Sequence, residues 1–223
     1  MTGARGGVDW RKFKERFFMF TGIVEATGKV ASFEEKSRAW LLELDIPREI
    51  ADSLSEGDSL ACNGCCLTLV SKSGSRAAFE LLEETIRLTS FEGVGKGSLI
   101  NLERPLAANA RLGGHFVTGH VDARGEVLDF ERRGKNFYLR VAVPKEFSKY
   151  SVYKGSVAID GISLTIAEAH GDSLAVWLIP HTLEVTNLSA CRVGKLVNLE
   201  FDILAKYAEK ICSGGGGQSP YQP

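Results

Sequence analysis

Short stretches of alternating hydrophobic and polar residues, separated by glycine- and serine-rich turns, fill most of the chain. In the first half this period-two pattern predicts strands over residues 28–33, 40–46, 59–70, 76–82 and 98–102. In the second half it predicts strands over residues 124–130, 136–143, 156–169, 173–179 and 195–199. Several short strands at this spacing are typical of an antiparallel barrel or sandwich.

The two series of strands are copies of one another. Residues 20–103 can be laid over residues 117–200 without a gap, at a constant shift of 97, and 26 of the 84 aligned positions are identical. The clearest echo joins Asn63-Gly64-Cys65-Cys66-Leu67-Thr68 to Asp160-Gly161-Ile162-Ser163-Leu164-Thr165. A repeat of this length is the size of a small domain. We therefore predict two similar antiparallel β-barrels in tandem.

The repeat divides the chain into five parts. We expect an N-terminal extension over residues 1–18, a first barrel over 19–112, a second barrel over 113–201, a helix over 202–212 and a flexible tail over 213–223. The extension is basic and aromatic and lacks the uninterrupted apolar core of a secretory signal, so we interpret it as a disordered tail or the product of an upstream start codon, with a short organellar transit peptide as the alternative. Within each copy, Asn63-Gly64 and Asp160-Gly161 favour sharp turns, as hairpins or bulges. Pro47 can begin a short helix that reaches Leu54.

The segment after the second copy has the pattern of an amphipathic helix. Asp202 is a suitable N-cap, and one face carries Leu204, Tyr207, Ala208 and Ile211. A helix this short is marginal by itself, so its apolar face must pack on something. Periodicity favours equally its own barrel and other copies of the chain.

Composition and charge exclude several classes of protein. The formal net charge is −1 and charged residues make up 25% of the chain, so there is no general electrostatic case for binding nucleic acid or a membrane surface. A barrel that binds oligonucleotides would also need a basic groove with aromatic platforms, which the strands lack. No apolar run reaches the roughly 18–20 residues that span a bilayer. Five cysteines, an odd number, suit a reducing compartment, and we expect the cytoplasm.

The cysteine cluster is the first candidate for chemistry. Cys62, Cys65 and Cys66 suggest zinc, but a structural site wants four ligands and the other cysteines are isolated, so we expect no metal. Cys66 aligns with Ser163, and one backbone position thus carries a thiol in one copy and a hydroxyl in the other. That suits a pocket wall that hydrogen-bonds a ligand better than it suits a nucleophile, which would want a base beside it.

Two threonines at equivalent positions are further candidates for contacting a ligand. Thr68 and Thr165 lie two residues further along and face the same side of their strands. Short polar groups on an apolar strand are typical of groups that orient a small ligand, although a threonine in core packing is the equal alternative.

Ionisable residues are distributed unequally between the copies. His115 and His120 flank Thr118-Gly119, and a histidine can act as acid or base near neutral pH. The second copy also has Lys154 and Asp160 where the first has Gly57 and Asn63. We therefore predict two binding copies with unequal catalytic duties.

These motifs resemble the riboflavin synthase family of the α-chain type. The resemblance extends from Met19 to about Ile211 and includes the two repeated turn motifs. It also includes Met19-Phe20-Thr21-Gly22-Ile23-Val24-Glu25, Gly113-Gly114-His115-Phe116-Val117-Thr118-Gly119-His120-Val121-Asp122, Tyr153-Lys154-Gly155 and Ile179-Pro180-His181-Thr182-Leu183. It implies two six-stranded Greek-key barrels and a homotrimer held by C-terminal helices. Each active site would pair the N-terminal barrel of one subunit with the C-terminal barrel of its neighbour.

The resemblance also implies a reaction, the last step of riboflavin biosynthesis. Two molecules of 6,7-dimethyl-8-ribityllumazine exchange a four-carbon unit, and the products are riboflavin and 5-amino-6-(D-ribitylamino)uracil. No cofactor or metal takes part in this transfer, and lumazine synthase is a candidate partner. The alternative is a non-catalytic lumazine- or flavin-binding antenna protein. Such proteins tend to lose the polar residues of one barrel, whereas both copies keep them here.

The family's site residues can be transferred to this sequence by its motifs. The binding strips of the first barrel are Gly22-Ile23-Val24, Cys66-Leu67-Thr68 and Glu80-Leu81-Leu82-Glu83-Glu84-Thr85. Those of the second barrel are Gly119-His120-Val121, Lys154, Ser163-Leu164-Thr165 and Ile179-Pro180-His181-Thr182-Leu183-Glu184. The implied catalytic set is Ser163, Cys66, Asp160 and His120, with Lys154 and Thr165 in support.

Overall fold

The computed structural model describes residues 19–37 and 39–213. The predictions made for the extension 1–18 and for all of the tail beyond Ser213 lie outside these residues. Six strands form the first copy: β1 Ala26–Glu35, β2 Trp40–Asp45, β3 Ser59–Cys62, β4 Cys65–Ser73, β5 Arg76–Leu81 and β6 Leu99–Glu103. Six more form the second: β7 Ala123–Arg133, β8 Asn136–Ala142, β9 Ser156–Ile159, β10 Ile162–Ala169, β11 Ser173–Leu178 and β12 Leu196–Phe201.

Each copy closes into its own antiparallel barrel, as predicted. The strands of the first barrel follow the ring order β1-β2-β5-β4-β3-β6, and β6 pairs back onto β1. The second barrel repeats this order as β7-β8-β11-β10-β9-β12. In this ring β2 is not adjacent to β3 and β5 is not adjacent to β6, and the same holds for the matching strands of the second barrel, so both barrels are Greek keys. Closure leaves no strand edge unpaired and gives each barrel a separate apolar core.

The two predicted strands 59–70 and 156–169 are each divided by a two-residue turn. Cys62 pairs with Cys65 around Asn63-Gly64, and Ile159 pairs with Ile162 around Asp160-Gly161. All four turn residues have positive φ, with 47° at Asn63 and 46° at Asp160. Both turns are therefore tight hairpins of the kind that asparagine, aspartate and glycine favour. The alternative of a bulge at these positions is wrong.

Within the described residues, four short α-helices accompany the barrels: α1 Arg48–Ala51, α2 Glu83–Leu88, α3 Pro180–Val185 and α4 Ile203–Cys212. The first is shorter than the predicted helix from Pro47 to Leu54. The α2 and α3 helices follow the last residue of β5 and β11 closely, so each begins at the rim of its barrel. None of the helices in the described ranges is long and apolar enough to cross a membrane.

The tips of the two hairpins meet on a pseudo-two-fold axis between the barrels. An added Cβ on Gly64 would lie 2.7 Å from the backbone nitrogen of Gly161, and one on Gly161 would lie 2.6 Å from that of Gly64. Only glycine permits this approach. The side chain of Asn101 donates to the Asp160 carbonyl at 2.9 Å, and that of Asn198 donates to the Asn63 carbonyl at 2.8 Å. Each barrel thereby contributes a side-chain amide that hydrogen-bonds the hairpin turn of the other barrel.

Two loops complete this polar seam. The backbone nitrogen of Asn187 donates to Asn101 Oδ1 at 2.6 Å, and the backbone nitrogen of Ser90 donates to Asn198 Oδ1 at 2.6 Å. Asn101 and Asn198 are both 2% exposed. Buried amides of this kind are costly unless every polar atom is paired. The pairing therefore defines one relative orientation of the barrels.

The C-terminal helix α4 is capped by Asp202, whose side chain accepts a hydrogen bond from the backbone nitrogen of Leu204, as predicted. Lys206 Nζ lies 2.6 Å from Asp122, and Glu209 pairs with Lys149 and Tyr150 of the second barrel. The barrel thus holds the polar side of the helix. The predicted apolar face points away from it and leaves Leu204, Tyr207 and Ile211 at 57%, 62% and 78% exposure.

We predict that the polar seam is a main source of stability. In the Asn101→Ala variant, the Asp160 carbonyl and the backbone nitrogen of Asn187 lose buried partners, so the free energy of unfolding should fall by about 2–4 kcal/mol. Asn109→Ala, in the exposed linker, is the matched control and should change it by less than about 0.5 kcal/mol. Urea unfolding measures both, and equal values for the two variants would contradict the assignment.

Candidate functional site

Each barrel receives a short segment from the other copy. Phe20 and Val117 pair with each other in an antiparallel bridge between the barrels. Val24 then packs against the core of the second barrel, although its segment leads into the first. Val121 likewise packs against the core of the first barrel, although its segment leads into the second. The segments around Val24 and Val121 are therefore exchanged.

Backbone hydrogen bonds hold the exchanged segments against the strands that carry the predicted site. The nitrogen of Ser163 donates to the Gly22 carbonyl at 2.7 Å, and the nitrogen of Cys66 donates to the Gly119 carbonyl at 2.8 Å. Gly22 and Gly119 have φ of 76° and 79°, and an added Cβ would lie 2.7 Å and 2.6 Å from the Cβ of Ser163 and Cys66 respectively. Both glycines are required by conformation and by space.

A buried carboxylate anchors each exchanged segment from the barrel to which it leads. Glu103 accepts from the backbone nitrogen and hydroxyl of Thr21, at 2.6 and 2.8 Å, and from the nitrogen of Gly22 at 3.0 Å. Glu200 repeats the arrangement with Thr118 and Gly119. Sequence reasoning missed these two glutamates. Their signal was available, because Asn-Leu-Glu is identical in both copies.

The exchange corrects the grouping of the predicted binding strips. Gly22-Ile23-Val24 lies with Ser163-Leu164-Thr165, and we call this the second-barrel site. Gly119-His120-Val121 lies with Cys66-Leu67-Thr68, and we call this the first-barrel site. In sequence, His120 belongs to the second copy together with Ser163, whereas in the structure its segment lies beside Cys66. The reason for the error is topological, since a repeat reveals equivalent positions but not which copy contributes each segment to which barrel.

The remaining strips adjoin the same two sites. β10 and β11 are neighbours, and the pairing of Ile166 with Val176 directs the end of β11 and the start of α3 towards Ser163. The pairing of Leu69 with Phe79 does the same for β5 and α2 near Cys66. Three large apolar side chains of these strips are exposed: Ile23 at 49%, Leu82 at 66% and Ile179 at 56%. Each site thus has at least one exposed apolar side chain of the kind that contacts a ligand, Leu82 in the first-barrel site and Ile23 and Ile179 in the second.

A hydrogen-bonded pair of side chains occupies the second-barrel site. His115 Nδ1 lies 2.7 Å from Ser163 Oγ, and the ring is only 8% exposed. Burial lowers the pKa of His115 below its ordinary value, so the imidazole is neutral at pH 7 and able to accept a proton. Its Nε2 has no partner among the described residues. Sequence analysis named His115 as a possible acid or base but did not connect it with Ser163, because 48 residues separate them.

The first-barrel site is chemically different. Burial raises the pKa of the Cys66 thiol, with Ser59 as an opposing hydrogen-bond partner. The thiol is therefore protonated at neutral pH and is a weak nucleophile. The exposed side chain here is His120, which takes the position that Ile23 has in the second-barrel site. Each site thus has one histidine, but the two histidines occupy different positions. His115 is buried beside Ser163, whereas His120 is exposed on the segment that lies beside Cys66.

The other predicted catalytic residues, Asp160, Lys154 and Thr165, differ in burial and in backbone conformation. Asp160 is 0% exposed and belongs to the seam. Burial raises its pKa, and the ammonium of Lys195 is the largest opposing influence. Lys154 is exposed and has φ of 65°, where the first copy has Gly57 at 85°. A lysine in this left-handed conformation is strained relative to glycine, which is a common sign of function. Thr165 and Thr68 are both exposed on their strands.

Neither site contains a metal-binding cluster. Over residues 19–37 and 39–213, no group of three His, Cys, Asp or Glu side chains is arranged to hold an ion. The five cysteines are all free, and burial raises the pKa of Cys65 to about 12. The second-barrel site therefore offers a hydrogen-bonded hydroxyl and imidazole, and the first-barrel site offers the Cys66 thiol and the exposed His120.

Comparison with known proteins agrees with this duplicated architecture. Residues 21–105 and 118–202 match the family model described as Lumazine binding domain. The solved structure of LumP complexed with riboflavin superimposes with a TM-score of 0.76 at 26% sequence identity, over 82% of this chain and 99% of that chain. LumP complexed with 6,7-dimethyl-8-(1'-D-ribityl) lumazine gives a TM-score of 0.75 at 24% identity, over 82% of this chain and 99% of that chain, and shows the same fold.

Curated relatives are more similar in sequence. The riboflavin synthase of Actinobacillus pleuropneumoniae is 38% identical over 193 residues, which cover 86% of this chain and 89% of that protein. The riboflavin synthase of Bacillus subtilis is 39% identical over 85% of this chain and 87% of its own length. That of Mycobacterium bovis is 41% identical over 203 residues, 89% of this chain and 100% of its own. The chain therefore belongs to the riboflavin synthase family, with two tandem lumazine-binding domains.

Proposed function

We propose that this protein is a riboflavin synthase that converts two molecules of 6,7-dimethyl-8-ribityllumazine into riboflavin and 5-amino-6-(D-ribitylamino)uracil. A four-carbon unit passes from one lumazine to the other, so donor and acceptor are the same compound and no further reactant is needed. The observation that carries the proposal is the pair of equivalent sites, each with a hydroxyl or thiol and a histidine. Two similar surfaces suit two identical ligands, and bringing both into register removes a large entropic barrier.

The chemical difference between the two sites suggests which site acts on which of the two lumazines. Deprotonation of an activated methyl group on one lumazine needs an unprotonated base, and the His115–Ser163 pair at 2.7 Å supplies one. The proton passes to the imidazole directly or through the serine hydroxyl. The protonated Cys66 thiol suits hydrogen bonding to the second lumazine. His120, Lys154 and Thr165 complete the proposed set, as exposed groups that a ligand can touch.

The exposed face of α4 suggests an assembly. Leu204, Tyr207 and Ile211 form an apolar stripe that the chain's own barrel does not cover. We propose that this stripe packs against equivalent helices in a homotrimer. The first-barrel site of one subunit would then face the second-barrel site of its neighbour, so that donor and acceptor lumazines meet across the boundary.

A lumazine-binding antenna protein is the second candidate, because LumP shares the fold. The hydrogen-bonded His115 and Ser163 argue against it, since a binding module has no need of a buried base. The higher identity to riboflavin synthases, 38–41% against 24–26%, points the same way. We also propose a cytoplasmic location, which the five free cysteines suit. Association with lumazine synthase stays a prediction.

The activity itself is the first prediction here. The purified chain should convert the lumazine to riboflavin, measured by absorbance and by chromatography of both products. Ser163→Ala should lower kcat by roughly 10²-fold or more, with a much smaller change in the Kd for the lumazine. Cys66→Ser should be milder because it introduces the group that the other copy already uses, and Cys66→Ala should fall between them. Binding without turnover in the unaltered chain would identify an antenna protein instead.

The second prediction concerns pH. The neutral form of His115 is the active one and burial lowers its pKa, so kcat should be constant around neutral pH and its acid limb should lie below the pKa of a free imidazole. His115→Gln should reduce kcat by roughly 10²–10⁴-fold and abolish this acid limb. His170→Gln, which removes an exposed imidazole beside Glu168, is the matched control and should leave the profile unchanged. An acid limb that persists in His115→Gln would assign the base elsewhere.

The third prediction concerns assembly. Tyr207→Ser together with Ile211→Ser should give monomers with little activity, because each reacting pair of sites needs two subunits. Deleting residues 202–223 should do the same. Val193→Ser, which removes an apolar side chain of similar exposure, 60%, outside α4, should leave the oligomer intact. Sedimentation velocity and turnover are measured on the same samples, and a fully active monomer would refute the proposed assembly.

A further inference from the structure

The turn that precedes Ser163 contains a buried ion pair that the first copy lacks. The Asp160 side chain is 0% exposed, and its Oδ2 lies 3.6 Å from Nζ of Lys195, whose side chain is 24% exposed. At the equivalent positions the first copy has Asn63 and Ser98. The second barrel therefore has a carboxylate and an ammonium where the first barrel has two neutral side chains.

The contacts of Asp160 are all directed into the seam. Its Oδ1 accepts from the backbone nitrogen of Asn198 at 2.8 Å, and its Oδ2 accepts from Asn187 Nδ2 at 2.8 Å. A group with this burial and these partners cannot touch a ligand on the barrel surface. In the first copy, Asn63 Oδ1 accepts from the backbone nitrogen of Asn101 at 2.8 Å and from Asn187 Nδ2 at 3.1 Å. A neutral amide thus performs the same structural task there.

We propose that Asp160 is a positioning residue for Ser163, and that Lys195 is the residue that balances its buried charge. The inference rests on the proposed function and refines the role that the sequence suggested for Asp160. Only a short stretch of backbone connects Asp160 to Ser163. Asp160 and Gly161 form the turn that leads directly into β10, and the nitrogen of Ser163 is fixed at its other end by the Gly22 carbonyl. A displaced turn therefore moves the serine hydroxyl away from His115.

The two members of the pair should not be equally sensitive to substitution. Lys195 borders an open cleft of about 640 Å³ that Arg192 also lines, so its ammonium can turn to solvent when the carboxylate is removed. Asp160 has no such escape, and removal of Lys195 leaves a buried carboxylate without a counter-ion. Substitution of Lys195 is therefore the more costly of the two, because it leaves a buried charge uncompensated. The neutral combination already present in the first copy should relieve the cost.

Four variants test the proposal: Asp160→Asn, Asp160→Ala, Lys195→Ser and the double variant Asp160→Asn/Lys195→Ser. Asp160→Asn and the double variant should keep kcat within about threefold of the unaltered chain. Lys195→Ser and Asp160→Ala should lower it by more than roughly tenfold, so that the second substitution rescues Lys195→Ser through strong coupling. Lys96→Ser, which removes an exposed lysine from the equivalent turn of the first copy, is the matched control and should be neutral.

The ¹⁵N chemical shift of His115 Nδ1 gives a second readout that does not depend on turnover. It should be unchanged in Asp160→Asn and in the double variant. In Lys195→Ser and Asp160→Ala it should move towards the value found in Ser163→Ala, where the hydrogen bond is lost. If the unaltered chain makes no riboflavin, the proposed function fails, and these shifts still decide the role of Asp160.

Two results would overturn the inference. If Asp160→Asn lowers kcat as much as Ser163→Ala while the His115 shift stays unchanged, the carboxylate itself takes part in proton transfer. If Lys195→Ser leaves both kcat and the shift unaltered, Lys195 does not balance the charge of Asp160.

Discussion

The rest of the structure depends on the polar seam between the barrels. Asn101 and Asn198 each donate to a carbonyl in the opposite hairpin and accept from the backbone of a further loop. Because these amides are buried, any other orientation of the barrels would leave several polar atoms unpaired, which is costly. Apolar contact alone would permit sliding. The amides select a single arrangement and thereby define where the exchanged segments must cross.

The functional sites follow from that arrangement. With the hairpin tips in contact, Gly22 comes beside Ser163 and Gly119 beside Cys66. Each site is therefore built from both copies of the repeat, and neither barrel would form its site alone. Asp160 is also part of this seam, and it precedes Ser163 by only three positions in the chain. Stability and the geometry of the sites thus share one set of hydrogen bonds.

Duplication followed by divergence explains the asymmetry between the sites. The backbone is the same in both, including the positive φ at the hairpins and at the glycines of the exchanged segments. The side chains that differ between the copies include Ser163 for Cys66, His120 for Ile23, and Asp160 with Lys195 for Asn63 with Ser98. A common backbone suits binding of one ligand type twice. Different side chains let the two ligands be treated differently, which the proposed reaction requires.

The sequence by itself determined the tandem barrels, the hairpin turns and the helix capped by Asp202, because strand periodicity, turn residues and capping act over a few neighbouring positions. It also indicated the strips that form the sites, since the repeat keeps Thr68 with Thr165 and Cys66 with Ser163. Only the tertiary structure decided which strips meet. The exchange of Val24 and Val121, the pairing of His115 with Ser163 and the burial of Asp160 all depend on contacts between residues that are distant in the chain. No local pattern encodes such contacts, because they arise only when two closed barrels pack on one axis.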